Sequence, residues 1–346
     1  VLVANFEGKK VIKLIDKPDP KIIDDTDVIV RVVRSCVCGS DLWYYRGILE
    51  RQPGNIGHEY IGVVDGVGSA VSKFRKGDFV IAPFTYNDGT CAACAHGFYA
   101  NCVNGDVFGS VTNDGGQGQM VRCPFGDATL VKVPGNNFSE DQLASFTALC
   151  DVMCTGHHAA VSAGVGQDSV VAVVGDGAVG LCAVLASHRL GAKRIIALSR
   201  HPNRQKMALE FGASDIVELR GDDAIKSVLE LTDQVGVDSA LECVGSDESI
   251  STCAGITRIG GMIGAVGVPT YKAFQYQTLF WKNVGIRGGV APSRQYIADL
   301  LEDVLANKIN PGRVFDQSFS LEEIQAAYEA MDDRRAIKSL LKVSEL

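Results

Sequence analysis

Two groups of residues in the 346-residue chain have the types and spacing of metal ligands. In the first, Cys38-Gly39-Ser40-Asp41 is followed by Gly57-His58-Glu59 and, much later, by Cys150-Asp151. A soft thiolate, an imidazole and either a carboxylate or a second thiolate make a catalytic zinc set, because three protein ligands leave a fourth position open to water or substrate. In the second, Asp88, Cys91, Cys94 and Cys102 crowd into one loop. Three thiolates and an acid at that spacing close a tetrahedral site and leave no room for substrate, the description of a structural zinc. A lone cysteine is usually a small buried hydrophobe; the grouping is what points to metal.

A third feature is the run VVAVVGDGAVG, in which Gly175, Gly177 and Gly180 follow a strand-like segment and open a helix-length one. In that context the first glycine permits a tight turn and the second lets backbone approach a pyrophosphate. The third allows close helix–strand packing, and the helix N-terminus attracts the anion. The next strand ends in Ser199 and Arg200, with Arg204 one helical turn on, and no carboxylate follows the strand. A hydroxyl and guanidinium groups suit a 2′-phosphate, so NADP(H) is expected in preference to NAD(H).

The elements that must position these groups fall into three zones. Residues 1–150 carry short strand-like runs at 28–33, 61–67, 79–82 and 130–133, broken by Gly, Pro and Asp, which reads as β-rich with long loops. Residues 151–287 alternate strands (170–174, 195–198, 215–218, 238–243, 262–266) with helical segments (180–191, 204–211), the pattern of a doubly wound parallel sheet. Residues 288–346 hold helical segments at 296–306 and 321–331, a turn at 310–312 and a strand at 339–343. This tail is too short for a domain of its own and is expected to complete the first zone. The fold class is therefore α/β, with a β-rich domain of 1–150 completed by 288–346, and a dinucleotide-binding domain of 151–287.

Composition excludes several partners. Lys and Arg number 33 against 41 acids, a net charge of −8, with no basic stripe for nucleic acid or anionic membrane. The most apolar stretch, 170–186, is broken by Asp176 and three glycines and is not a spanning helix. The first ten residues alternate like a strand and do not resemble a signal peptide, and the chain does not begin with methionine. Eleven cysteines in a chain of this size, several spaced for metal, suggest a reducing, cytoplasmic compartment.

Taken together, CGSD, GHE, the cysteine lobe, GGQGQMVRCP, DVMCTGHHAA, GDGAVG, ALECVG, GGMIGAVGVP and RRAIKSLLKV resemble, in their order and over essentially the whole chain, the zinc-dependent alcohol dehydrogenases of the medium-chain dehydrogenase/reductase superfamily. The resemblance implies a GroES-like catalytic domain, a Rossmann NADP-binding domain and two zinc ions per chain. It implies Cys38, His58 and Asp151 as catalytic-zinc ligands, with Cys150 the competing third, and Glu59 as a possible fourth. Asp41 takes the place of the carboxylate that orients the ligand histidine, and Ser40 that of the hydroxyl relaying the substrate proton. Thr155 and Val179 match positions against the nicotinamide, and Val266 and Val268 positions around its ribose and carboxamide. Two departures are visible: Asp88 replaces the first structural cysteine, and Trp43 replaces the relay histidine.

The implied activity is the interconversion of alcohols, secondary ones foremost, with aldehydes or ketones by hydride transfer with NADP(H). The partners are a small-molecule substrate and further copies of the chain, as a homodimer or homotetramer. Trp43, Phe84, Tyr86, Phe108 and Trp281 are the aromatic candidates for an apolar substrate pocket. The alternatives are a zinc-free quinone or enoyl reductase, or a non-catalytic NADP-binding protein.

Overall fold

In the computed structural model, which describes residues 1–110, 113–272 and 276–346, the chain forms two units. One comprises Val1–Asp151 and Pro292–Leu346, the other Val152–Ala291. The joints thus fall slightly later than the 150/151 and 287/288 expected from sequence. Asp151 belongs with the first unit, where its carboxylate meets Cys38 and His58. Gly288 ends the last strand of the second unit's sheet.

The first unit is organised around strand Val28–Cys36, whose run of β-branched residues is buried on both faces. It pairs antiparallel with Tyr60–Val67, Met120–Cys123 and the C-terminal strand Lys338–Lys342. The tail therefore completes this sheet. The register sets Ser35 opposite Tyr60 and Cys36 opposite Leu340. Cys38, His58–Glu59 and Lys338 consequently gather at one end of three adjacent strands, although Lys338 lies 279 residues from Glu59 in sequence. Helix Glu140–Leu149, started by a reciprocal Ser139/Gln142 capping box, delivers Cys150 and Asp151 at its C-terminal end. There the Cys150 carbonyl accepts from the Phe84 amide at 3.1 Å.

The second unit is a six-stranded, all-parallel sheet. Numbered within the unit, its strands Val170–Val174, Arg194–Leu198, Asp215–Val217, Val237–Glu242, Thr257–Ala265 and Gly285–Gly288 lie in the order 3-2-1-4-5-6, the doubly wound arrangement. Its core packs Ala172, Ile196, Val237, Ala240 and Ile263 of the strands against Val228, Ile250 and Cys253 of the helices. Helix Val152–Ser162 escaped the sequence reading because nearly every residue in it is buried, leaving no polar face to show a period.

Candidate metal centres and dinucleotide site

In the first unit, ligand atoms of Cys38, His58, Glu59 and Asp151 all lie within 4.8 Å of one another. Cys38 Sγ is 3.6 Å from Asp151 Oδ2, and His58 Nε2 is 3.3 Å from the same oxygen. Tetrahedral bonding at ordinary zinc distances requires a thiolate–oxygen edge of about 3.6 Å and an imidazole–carboxylate edge of about 3.3 Å. Both edges from Asp151 therefore fit a zinc ion, and Cys38 and His58 lie within the same 4.8 Å cluster. Cys150, the competing third ligand, instead directs its buried thiol to the Tyr60 carbonyl at 3.3 Å.

The surroundings of the trio orient it. Asp41 faces His58 Nδ1 at 3.5 Å and accepts from the Cys38 amide at 3.0 Å. With Nδ1–H turned to Asp41, Nε2 presents its lone pair to the cluster. Gln117 donates to Asp41 at 3.2 Å and to the Cys36 carbonyl at 2.9 Å, and accepts from the Tyr328 hydroxyl at 2.9 Å. Glu59 stands 3.9 Å from His58 Nε2, longer than a tetrahedral edge. Its Oε1 accepts from Lys338 at 2.7 Å, while Oε2 is buried without a hydrogen-bond partner. Gln117 and Lys338 were given no role from the sequence. The available signals were a glutamine set among glycines in GGQGQ and a lysine inside the apolar run AIKSLL.

Ser40 precedes helix Asp41–Tyr45 but makes no side-chain capping bond, so its hydroxyl is not spent on the helix. Trp43, in the same helix, is half-buried. Phe84 meets the His58 ring edge-on at 6.2 Å. Two of the other aromatic candidates are corrected by the structure. Tyr86 and Phe108 are buried in the sheet core, where Phe108 packs edge-on against Tyr60. Trp281, in the second unit, is 74% exposed.

The cysteine lobe brings Cys91 Sγ within 3.6 Å of Cys94 Sγ and 3.8 Å of Cys102 Sγ. A thiolate pair on one tetrahedral zinc spans about 3.8 Å. Burial pushes the Cys94 thiol up to about 12, with the neighbouring sulfurs acting in the same sense, a crowding that a divalent cation relieves. Asp88 shares the cluster. Its Oδ1 accepts from the amides of Thr90 and Cys91, and its Oδ2 accepts from Asn104. Those bonds hold its carboxyl well below the usual range despite partial burial.

In the second unit, Gly175 has φ +119°, and a Cβ there would lie 2.8 Å from Val244. A Cβ on Gly180 would collide with the Gly175 carbonyl, whereas one on Gly177 would meet nothing within 4 Å. The loop is thus tight behind and open in front, at the N-terminus of helix Ala178–Arg189, an anion-binding arrangement. Val179 lies in that helix's first turn, and Thr155 lies in helix Val152–Ser162. The two helices approach closely at Gly156, whose Cβ would sit 2.9 Å from the Val179 carbonyl. Val266 and Val268 follow strand Thr257–Ala265, with Val268 exposed.

At the end of strand Arg194–Leu198 the structure corrects one expectation, the absence of a carboxylate. Asp176, inside the glycine loop, accepts from Ser199 Oγ at 2.8 Å and pairs with Arg204 at 3.0 Å. Arg200 is exposed. The acid arrives from the glycine loop that precedes the strand, not from the residues that follow it.

Comparison with known proteins agrees with these features. Residues 24–135 match the alcohol dehydrogenase GroES-like domain, and residues 178–306 match the zinc-binding dehydrogenase family. Zinc-type alcohol dehydrogenase B of Aspergillus flavus is 31% identical over 98% of this chain and 81% of its own. An alcohol dehydrogenase of Cupriavidus necator is 28% identical over 94% of this chain and 93% of its own. Among solved structures, alcohol dehydrogenase TADH from Thermus sp. ATN1 superimposes with a TM-score of 0.92 at 31% identity, over 99% of this chain and 100% of the other. With paired thiolate-containing ligand clusters in a GroES-like unit and a glycine loop in a Rossmann unit, the chain belongs to the zinc-dependent alcohol dehydrogenases of the medium-chain dehydrogenase/reductase superfamily.

Proposed function

We propose that the protein is a cytoplasmic zinc enzyme that interconverts alcohols, secondary alcohols foremost, with aldehydes or ketones, using NADP(H) in preference to NAD(H). The observation that carries this reading is the Cys38–His58–Asp151 trio, in which the distances from Asp151 to Cys38 and to His58 match edges of a tetrahedral zinc site. A zinc-free reductase has no use for such a trio. Bound there, zinc supplies a Lewis acid to the substrate oxygen, and the nicotinamide cofactor supplies or accepts the hydride.

The chain's own residues do the rest. Asp41 keeps His58 in the tautomer that offers Nε2. Ser40 Oγ accepts the proton of the substrate hydroxyl and passes it on. With Trp43 in the relay-histidine position, the proton leaves Ser40 through water or a ribose hydroxyl. Glu59 is the alternate fourth ligand. Thr155, Val179, Val266 and Val268 bound the nicotinamide end of the cofactor. Gly175, Gly177 and Gly180 receive its pyrophosphate, and Ser199, Arg200 and Arg204 its 2′-phosphate. Asp88, Cys91, Cys94 and Cys102 hold a second, structural zinc.

No disulfide joins any of the described cysteines, which supports a reducing compartment. Exposed Tyr276, Phe280, Trp281 and Val290 neighbour the edge strand Gly285–Gly288, which supports pairing with further copies as a homodimer or homotetramer.

The test is oxidation of NADPH, beside NADH, by zinc-loaded protein against aldehydes, methyl ketones, diketones and ketoses. NADPH-preferring turnover of ketones is expected, and it should vanish in protein shown by elemental analysis to be demetallated. Full activity without metal would overturn the mechanism, and preference for NADH would overturn the cofactor assignment.

A further inference from the structure

The residues assigned to the cofactor's 2′-phosphate already face an anion. Asp176 lies between two glycines of the phosphate-binding loop and turns its carboxylate toward the end of the next strand. One oxygen accepts from Ser199 Oγ at 2.8 Å and the other pairs with Arg204 at 3.0 Å. Ser199 is buried, and the side chains of Asp176 and Arg204 are largely so, at 18% and 16% exposure. The strand end is fixed independently, by Gln205 donating to the Ser199 carbonyl at 2.9 Å. Burial disfavours the charged carboxylate, but the Ser199 hydroxyl and Arg204 guanidinium outweigh it and hold the Asp176 carboxyl below its ordinary range. Asp176 is therefore an anion at neutral pH.

We propose that Asp176 is a specificity-determining residue: its carboxylate is the resident anion of the 2′-phosphate subsite, and Ser199 and Arg204 must exchange it for the phosphate of NADP(H). This rests on the dinucleotide assignment made above. A phosphate of charge near −2 and a carboxylate cannot share one partly buried guanidinium without repulsion. NAD(H), with hydroxyls in that place, binds without displacing the ion pair. Asp176 thus lowers the advantage that Arg204 confers on NADP(H), and tunes the ratio of the two cofactors through charge alone.

The test uses the zinc-loaded enzyme and its Asp176→Asn variant, which preserves shape and removes the charge. The readouts are the ratio of kcat/KM for NADPH to that for NADH, and inhibition by 2′,5′-ADP compared with 5′-AMP. Asp176→Asn is expected to raise the NADPH/NADH ratio about tenfold and to tighten 2′,5′-ADP relative to 5′-AMP by a similar factor. Asp176→Ser serves as a second neutral variant should the asparagine protein fold poorly. A ratio that is unchanged or falls overturns the proposal. A rise that comes only from weaker NADH binding, with NADPH and 2′,5′-ADP unchanged, also overturns it and would identify the carboxylate as an acceptor for ribose hydroxyls. Arg204→Ala, measured alongside, separates the two levels: if it leaves the ratio unmoved, the 2′-phosphate assignment itself is wrong.

Discussion

Lys338 donates its buried ammonium to Glu59 Oε1 at 2.7 Å and to the Val37 carbonyl at 3.1 Å. The pair comes from opposite ends of the chain and is fully enclosed, with side chains 1% and 0% exposed. Burial pushes the Glu59 carboxyl up and Lys338 pulls it down, so each charge is tolerated only because of the other. The lysine also holds Glu59 beside the Cys38–His58–Asp151 trio without letting it reach a tetrahedral edge. Lys338→Met is expected to cost about 3–5 kcal/mol in chemical denaturation, because it strands a buried carboxylate. Adding Glu59→Gln should recover part of that loss, and full additivity of the two would refute the coupling.

Elemental analysis of the purified protein should return two zinc ions per chain. Cys91→Ser is expected to lower that to one, with a fall in thermal midpoint and retention of the ion at Cys38, His58 and Asp151. Asp88→Ala removes both the charge and the acceptor for the Thr90 and Cys91 amides. It should therefore release the same ion and additionally loosen the loop, visible as faster proteolysis between Asp88 and Cys102.

Gly180→Ala forces a methyl group into the Gly175 carbonyl. Relief requires the loop to move, so the variant should lose about 1–3 kcal/mol of stability and most of its cofactor affinity. Quenching of NADPH fluorescence and a thermal melt measure the two separately. A protein that tolerates alanine there with unchanged binding would contradict the loop geometry.

Arg194 grips Asp215 with Nε and Nη2 at 2.9 and 2.8 Å. That grip is the main reason the Asp215 carboxyl lies below its ordinary range, burial opposing it and the Ser214 hydroxyl assisting. A folded-state value below the unfolded one, about 3.9, stabilises the protein above that pH. The contribution is lost as pH falls through the lower folded value. Asp215→Asn should thus lower the urea midpoint by a constant amount, worth at most about 1 kcal/mol, above about pH 5. Toward about pH 3 the gap should close. A gap that widens on acidification would reverse the assigned sign.

Much of the site was legible in the linear order. Cys38, His58 and the four residues of the cysteine lobe announce themselves by type and spacing, because metal chemistry tolerates few substitutes. The glycines of GDGAVG did so because they occur between a strand and a helix. The strand 170–174 was readable to the residue, since a buried parallel strand is a short β-branched run bounded by turn residues. The aromatic residues were not readable in this way. Tyr86 and Phe108 in the core and Trp281 at the surface have the same composition signal as Phe84 beside His58.

By itself, the sequence determined the chemistry available to this protein: thiolate, imidazole and carboxylate ligands, an anion-binding loop, and an α/β order that implies two kinds of domain. Those properties reside in residue type and local period. Only the tertiary structure decided which acid serves which site. It set Asp151 rather than Cys150 beside Cys38 and His58, gave Lys338 to Glu59, and carried Asp176 to Ser199 and Arg204. Each of those choices depends on strand register and on where a loop ends in space. Such relations join residues far apart in sequence, and no local pattern encodes them.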